Sequence, residues 1–435
     1  MFLSRLKRRR PLRNARGFFA RAGRRLSQYR FFAYLAILGP GIIAANSGND
    51  ASGIATYSSA GAEYGYTLLW IFVPTTISLI IVQEMCMRMG AVTGQGLADL
   101  IREHFGVRWA AFVMLALTIA NTGVIISEFV GIAAASELLG IPRAFALPAA
   151  AGFIWWLVIR GSHARVERVF LLMSLVLLSY VVSVFFADTN WQAAADGVLR
   201  PSLSGDAGYL FLVIALIGTT ITPFMQVYVQ SSVVDKGIGP EDLAVERFDV
   251  IGGTFFACTV AAVIMIASAA TLHSAGIFEV DTALTASYAL SPVAGEYAPI
   301  VFAVGVFGAS MVAMGVLPLS TAYSLSEALG FEKGVSRTFR EAPIFLGIFT
   351  ALILIGCVIA MIPWIPQIKL LLITQCVNGL LLPIILGAIL KLSGNEEIMG
   401  KYRNPRWLAI VGWTIATVIS LISFLLIGQT IADMF

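Results

Sequence analysis

Three observations predict an all-α, polytopic membrane protein. Hydrophobic residues make up 58% of the 435 and charged residues only 12%, too few to coat a soluble domain of this length. Mean hydropathy is +0.85. Apolar runs long enough to cross a bilayer as helices recur along the whole chain. No nucleotide-binding fingerprint and no catalytic constellation interrupts them, which argues against an ATP-driven pump or an enzyme.

Taken in order, the chain opens with a basic arm over residues 1–31. Its first thirty residues hold eleven Lys and Arg and no acid. With a membrane span directly behind it, this reads as a solvated cytoplasmic arm beside anionic lipid headgroups, not as a nucleic-acid binder. The basic stretch is also too long for a signal peptide. Eleven spans follow, near 32–60, 65–88, 109–136, 144–160, 166–187, 208–234, 249–272, 298–326, 342–362, 367–390 and 407–432. With the N-terminus inside, 26 of the 29 Lys and Arg face the cytoplasm and only Arg143, Arg200 and Lys369 face outward. The C-terminus is then extracellular. Two amphipathic pieces, Gly96 to Phe105 inside and Asp281 to Leu290 outside, read as interfacial connectors. Near the cytoplasmic end of the second span, Glu84 stands four residues before Arg88, a spacing that pairs them on one helix face.

Two spans are interrupted in their middle. The first carries Ser47-Gly48-Asn49-Asp50-Ala51-Ser52-Gly53 between apolar flanks, so the carboxylate of Asp50 falls near the bilayer centre. A charge at that depth costs about 2.5–3.5 kcal/mol on insertion scales, and irregular backbone survives there only against protein or a water-filled cavity. Asp50 reads as a cation-binding carboxylate at an unwound helix, with a structural cap at a kink as the blander alternative. The sixth span is broken between Gly218 and Pro223, where proline removes a backbone donor. Spans one and six are five apart, and five is odd, so the second copy enters the membrane upside down. Paired broken helices in inverted halves point to a transporter's midplane site. The expected organisation is a first repeat over 32–187, an extracellular loop over 188–207, a second, inverted repeat over 208–392, and an eleventh helix within 393–435. Cys86, Cys258, Cys357 and Cys376 lie in apolar spans without ligand spacing and read as packing residues. His104, His163 and His273 fall in expected loops, which leaves no intramembrane histidine relay.

The opening Gly39-Pro40-Gly41, the first break, AGAEYGYTLLW, RMGAVTGQGLADL and SEFVGIAAASELLGIP resemble, in order, segments of the natural-resistance-associated macrophage protein family of divalent-metal transporters. The resemblance runs from about residue 33 to at least 390. It implies a 5+5 inverted repeat of LeuT-like fold. The family motif Asp-Pro-Gly-Asn reads here Asp50-Ala51-Ser52-Gly53, so the Asn ligand has become Gly53. The family's Ala-x-x-Met-Pro-His reads Thr219-Thr220-Ile221-Thr222-Pro223-Phe224, so Thr222 replaces the thioether and Phe224 the histidine. In the third helix Ile125 replaces the first acid of a pair and Glu128 keeps the second. Gln375 matches a residue that approaches the ion, and Asn378 lies one turn on.

These departures resemble those of the family's magnesium-transporting relatives. Oxygen ligands suit Mg²⁺ and Mn²⁺, whereas a thioether favours later metals, and Mg²⁺ tends to keep its waters. The expectation is a transporter of Mg²⁺ and Mn²⁺ as partly hydrated ions, not proton-coupled, monomeric, with no resident cofactor. The expected ion site comprises Asp50, Gly53, Thr219, Thr222, Gln375 and Asn378 around a wider cavity. A proton-coupled Mn²⁺/Fe²⁺ symporter and an amino-acid or amine permease on the same scaffold are the alternatives.

Overall fold

A computed structural model describes residues 40–160, 178–334 and 337–432. The basic arm, Arg165, Arg168, His163 and the first part of the span expected over 166–187 lie outside these residues. Among the described residues there are helices and no strand. Eight helical stretches are long and apolar enough to cross a membrane, and Arg143–Ile159 is a shorter apolar one.

The first span is two helices, α1 (Pro40–Asn46) and α2 (Ala51–Tyr64), separated by the turn expected from its glycines and polar residues. α3 (Phe72–Thr93) follows a 3₁₀ turn and stops at Gly94, whose φ of 66° is the left-handed conformation glycine adopts without strain. The amphipathic α4 (Leu97–Phe105) buries Leu97, Ala98, Leu100 and Ile101. α5 (Val107–Leu138), α6 (Arg143–Arg160), α7 (Leu178–Phe186) and the short α8 (Trp191–Leu199) complete the first part.

The sixth span is likewise two helices. α9 (Ala207–Thr220) ends where Pro223 begins α10 (Pro223–Lys236), because proline suits a helix's first position and not its interior. α11 (Leu243–Ser268) runs into a π-helical turn at Ala269–His273. A short helix, α12 (Ala283–Ser287), stands where an interfacial piece was expected. α13 (Ala298–Leu329), α14 (Pro343–Ala360), α15 (Gln367–Gly394) and α16 (Arg406–Ala432) follow.

The broken spans form the centre. In the most apolar window of α9–α10, 89% of residues are buried, against 28% for α16, so one is enclosed by protein and the other lies at the periphery. α2 packs on α5, α9, α11 and α15, while α10 packs on α1, α3 and α13. His104 and His273 were expected in loops. His104 is helical, within α4. His273 lies in the π turn, its Nδ1 2.8 Å from the Ala62 carbonyl oxygen at the end of α2. A polar residue at a helix end looks like a loop residue in sequence.

Toward the end expected to be cytoplasmic, buried charges are paired. Glu84 holds Arg88 at 3.0 Å, as its spacing predicts, and also Arg247 at 2.9 Å. Arg88 also donates to the Asn404 side chain at 2.6 Å, tying α3 to the segment before α16. Glu327, near the end of α13, accepts from Ser231 Oγ of α10 at 2.7 Å, Ala98 N of α4 at 3.2 Å and Lys333 Nζ at 3.0 Å. Lys333 also reaches Asp99 at 2.5 Å. Burial pulls the Lys333 ammonium down, but Glu327 and Asp99 outweigh it and hold it above its usual range.

Candidate functional site

The turn between α1 and α2 presents Asp50 as the N-cap of α2. Its Oδ1 accepts from Gly53 N at 2.6 Å, one of the donors a helix start leaves unpaired. Oδ2 is buried and meets no donor, and the whole residue is 1% exposed. A buried carboxylate oxygen without a partner is costly, and a cation offsets that cost. Helix break and open oxygen coincide at this residue.

The second break faces the first. Thr219, on the last turn of α9, donates its hydroxyl to the Gly48 carbonyl at 3.2 Å, and Tyr57 of α2 donates to the same oxygen at 3.3 Å. Thr222 stands just before α10 without bonding its first turn, and donates its hydroxyl to the Thr219 carbonyl at 2.9 Å. Both threonines are buried and keep lone pairs. The two breaks are thus joined through Gly48, Thr219 and Thr222.

Gly53 is tightly packed. A β-carbon there would lie 2.3 Å from the Gly48 carbonyl oxygen, 3.0 Å from Thr219 Oγ1 and 3.3 Å from Asp50 Oδ1. The wider cavity expected from losing the Asn side chain is therefore not open in this conformation, because the Gly48 turn folds into the space. What remains beside Gly48, Asn49, Tyr57, Thr219 and Thr220 is a cavity with room for about one water.

Gln375 and Asn378 sit on α15, which packs on both α2 and α9. Asn378 donates to Gln375 Oε1 at 3.1 Å, leaving Gln375 Nε2 and Asn378 Oδ1 buried without partners. The Gln375 backbone is close to α9, for a β-carbon on Gly218 would lie 2.0 Å from its carbonyl oxygen. Asp50, Gly53, Thr219 and Thr222 are therefore linked by direct contacts, while Gln375 and Asn378 join through helix packing.

Glu128 is the residue whose place the sequence did not reveal. From α5 its carboxylate accepts from Ala51 N at 3.1 Å, Ser52 N at 3.3 Å and Ser52 Oγ at 2.9 Å. It binds the N-terminus of α2, beside Asp50, where the helix dipole favours an anion. Ser52 Oγ also lies 2.8 Å from Ser127 Oγ, and Thr374 of α15 reaches Ser127 at 3.5 Å. The resemblance had singled out Glu128 as a retained acid, but not its contact with the start of α2.

Comparison with known proteins identifies the family. Residues 41–429 match the family model described as natural resistance-associated macrophage protein-like. The chain is 30% identical over 404 residues to the divalent metal cation transporter MntH 1 of Pseudomonas aeruginosa, covering 88% of this chain and 89% of that protein. It is 28% identical over 406 residues to MntH of Klebsiella pneumoniae, covering 91% and 94%. Among solved structures, a mutant of the Eremococcus coleocola manganese transporter superposes with a TM-score of 0.74 at 19% identity, covering 94% of this chain and 89% of that one. The nucleobase-cation symporter Mhp1 superposes at 0.57 with 14% identity, covering 92% and 93%, so the helical arrangement extends to LeuT-fold carriers. With nearly its whole membrane part matched, the chain belongs to the natural resistance-associated macrophage protein family.

Proposed function

We propose that the protein carries divalent metal cations across the membrane, taking Mg²⁺ and Mn²⁺ as partly hydrated ions without coupling to protons. The observation that carries this reading is Asp50 Oδ2, a buried carboxylate oxygen with no donor, at the junction of two broken helices. Thr219 and Thr222 add hydroxyl and carbonyl oxygens, Gly53 adds no side chain beside the Gly48 carbonyl, and Asn378, bonded to Gln375, offers an amide oxygen that packing leaves unused. An all-oxygen set around one carboxylate suits a hard ion that retains waters. Such an ion enters when the Gly48 turn moves off Gly53.

Uncoupled transport is supported by Phe224 and Ile125 at positions where the resembling family has a histidine and an acid. Glu128, the acid that remains, is engaged by three donors of α2. The membrane potential then drives uptake, at about 2.3 kcal/mol per charge per 100 mV. We place the N-terminus in the cytoplasm from the bias of Lys and Arg, and read the protein as a monomer with five-helix repeats over 32–187 and 208–392 and no resident cofactor.

A proton-coupled manganese carrier is the second reading, and Glu128 favours it, as a buried titratable group beside Asp50. Proteoliposomes holding an internal pH dye separate the two. Uptake of Mg²⁺ and Mn²⁺ with steady internal pH is expected. Acidification that tracks metal entry would establish the symporter instead.

A further inference from the structure

Where α5 packs against α15 a groove remains that the ion site does not use. It is lined by Val113, Ala116 and Leu117 of α5 and by Leu381, Ile384 and Ile385 of α15, all apolar. Val113, Leu117 and Ile385 are buried and form its floor, while Ala116, Leu381 and Ile384 are half-buried at its rim. Phe112, Leu115 and Ile119 of α5 and Ile373 and Val377 of α15 are exposed. Large apolar side chains bared along two helices of membrane-spanning length meet acyl chains, so lipid is the solvent at this groove.

Toward α4 the groove continues and changes character. Gly387 lies one turn beyond Ile384, half-buried, and a β-carbon there would meet no heavy atom within 4 Å. Lys391 comes one turn further, seven residues from Ile384 and so on the same helix face, about 10 Å along it. Its Nζ stands 5.9 Å from the centre of the Phe105 ring at the end of α4. On α5, Trp109 precedes Ala116 by the same seven residues and is 47% exposed, next to an exposed Arg108. Among the described residues neither Lys391 nor Arg108 has an acidic partner, whereas Arg88, Arg247 and Lys333 do. An apolar slot that ends in a tryptophan and two unspent cations matches the order of parts in one lipid molecule.

We propose that this groove binds an anionic phospholipid, with one acyl chain between α5 and α15 and the phosphate at Lys391. Trp109 marks the level of the membrane interface, Arg108 adds charge beside it, and the Lys391 stem runs along apolar surface while its ammonium reaches the headgroup. A zwitterionic lipid fits the same slot but gains less from the two cations. The site is independent of which metal the protein carries.

Full-length protein in phosphatidylcholine bilayers tests this, with a minor share of either phosphatidylglycerol or phosphatidylcholine brominated on its acyl chains. Bromine quenches tryptophan on contact, and subtracting the Trp109→Phe signal isolates Trp109. Brominated phosphatidylglycerol should quench Trp109 more strongly than brominated phosphatidylcholine at equal content. Lys391→Gln should reduce that preference about fivefold. Gly387→Leu projects into the open slot and should lower quenching by both lipids. Equal quenching by the two lipids in wild type, or a preference that survives Lys391→Gln, would overturn the proposal. Lys391 is exposed, so its variant decides the matter even if Gly387→Leu does not fold. Unchanged quenching in a folded Gly387→Leu would place the lipid elsewhere and overturn the groove. Light scattering covers the remaining occupant: a dimer in wild type that Gly387→Leu dissociates would give the groove to a second copy instead.

Discussion

Asp50 and Glu327 are both carboxylates with 1% exposure, and the structure treats them in opposite ways. Glu327, near the end of α13, has its oxygens engaged by Ser231, Ala98 and Lys333. Asp50, at the centre, commits one oxygen to Gly53 and leaves the other open. Burial alone therefore does not distinguish a binding carboxylate from a structural one. The distinction lies in unspent hydrogen-bonding capacity, since a protein tolerates an unsatisfied buried group where a ligand will meet it.

The contrast breaks first at Asp50. Asp50→Ala should reduce Mg²⁺ and Mn²⁺ uptake in proteoliposomes to background. Unfolding in detergent should shift little, because losing a helix cap costs only about 1 kcal/mol. Wild-type uptake by this variant would end the comparison. Glu327→Ala should do the reverse. It strands Lys333, although Asp99 still holds it, so a loss of about 3 kcal/mol is expected in thermal or denaturant unfolding. Metal affinity, read by titration, should remain; a selective loss of affinity with unchanged stability would reverse the two roles.

Gly53→Asn sharpens the central half of the contrast. Restoring the family's residue puts a side chain against the Gly48 carbonyl, at an overpacking cost of about 1–3 kcal/mol. Stability should fall in unfolding assays, and selectivity should move toward Mn²⁺ only together with Thr222→Met. Unchanged stability would show that the Gly48 turn moves aside freely. The smallest effect is expected from Glu128→Gln, which keeps an acceptor for α2 while removing the charge. It should lower stability by about 1 kcal/mol and leave Mg²⁺ uptake without any change in internal pH. Appearance of a pH signal in wild type that this variant loses would make Glu128 a proton carrier.

Both helix breaks were legible because glycine, proline and a lone carboxylate are conspicuous in an apolar run. That signal singled out Asp50, whereas Thr219 and Thr222 came from the family resemblance, and the Glu84–Arg88 pair from its spacing. Contacts across long separations were not legible. Glu128 meets the start of α2 from 77 residues away and Glu327 meets Ala98 from 229, and neither leaves a local pattern. The wider cavity was inferred from a lost side chain, and backbone filled the space instead.

The cap made by Asp50 has a consequence for how an ion would be sensed. Oδ1 is already engaged by Gly53 N, so a metal bound through Oδ2 alone leaves the first turn of α2 intact. Bidentate coordination would take Oδ1 from that N–H and fray the half-helix. Denticity thus becomes a reading of hydration: an ion that keeps its waters needs a single oxygen and preserves the helix start, while a stripped ion that claims both would loosen it.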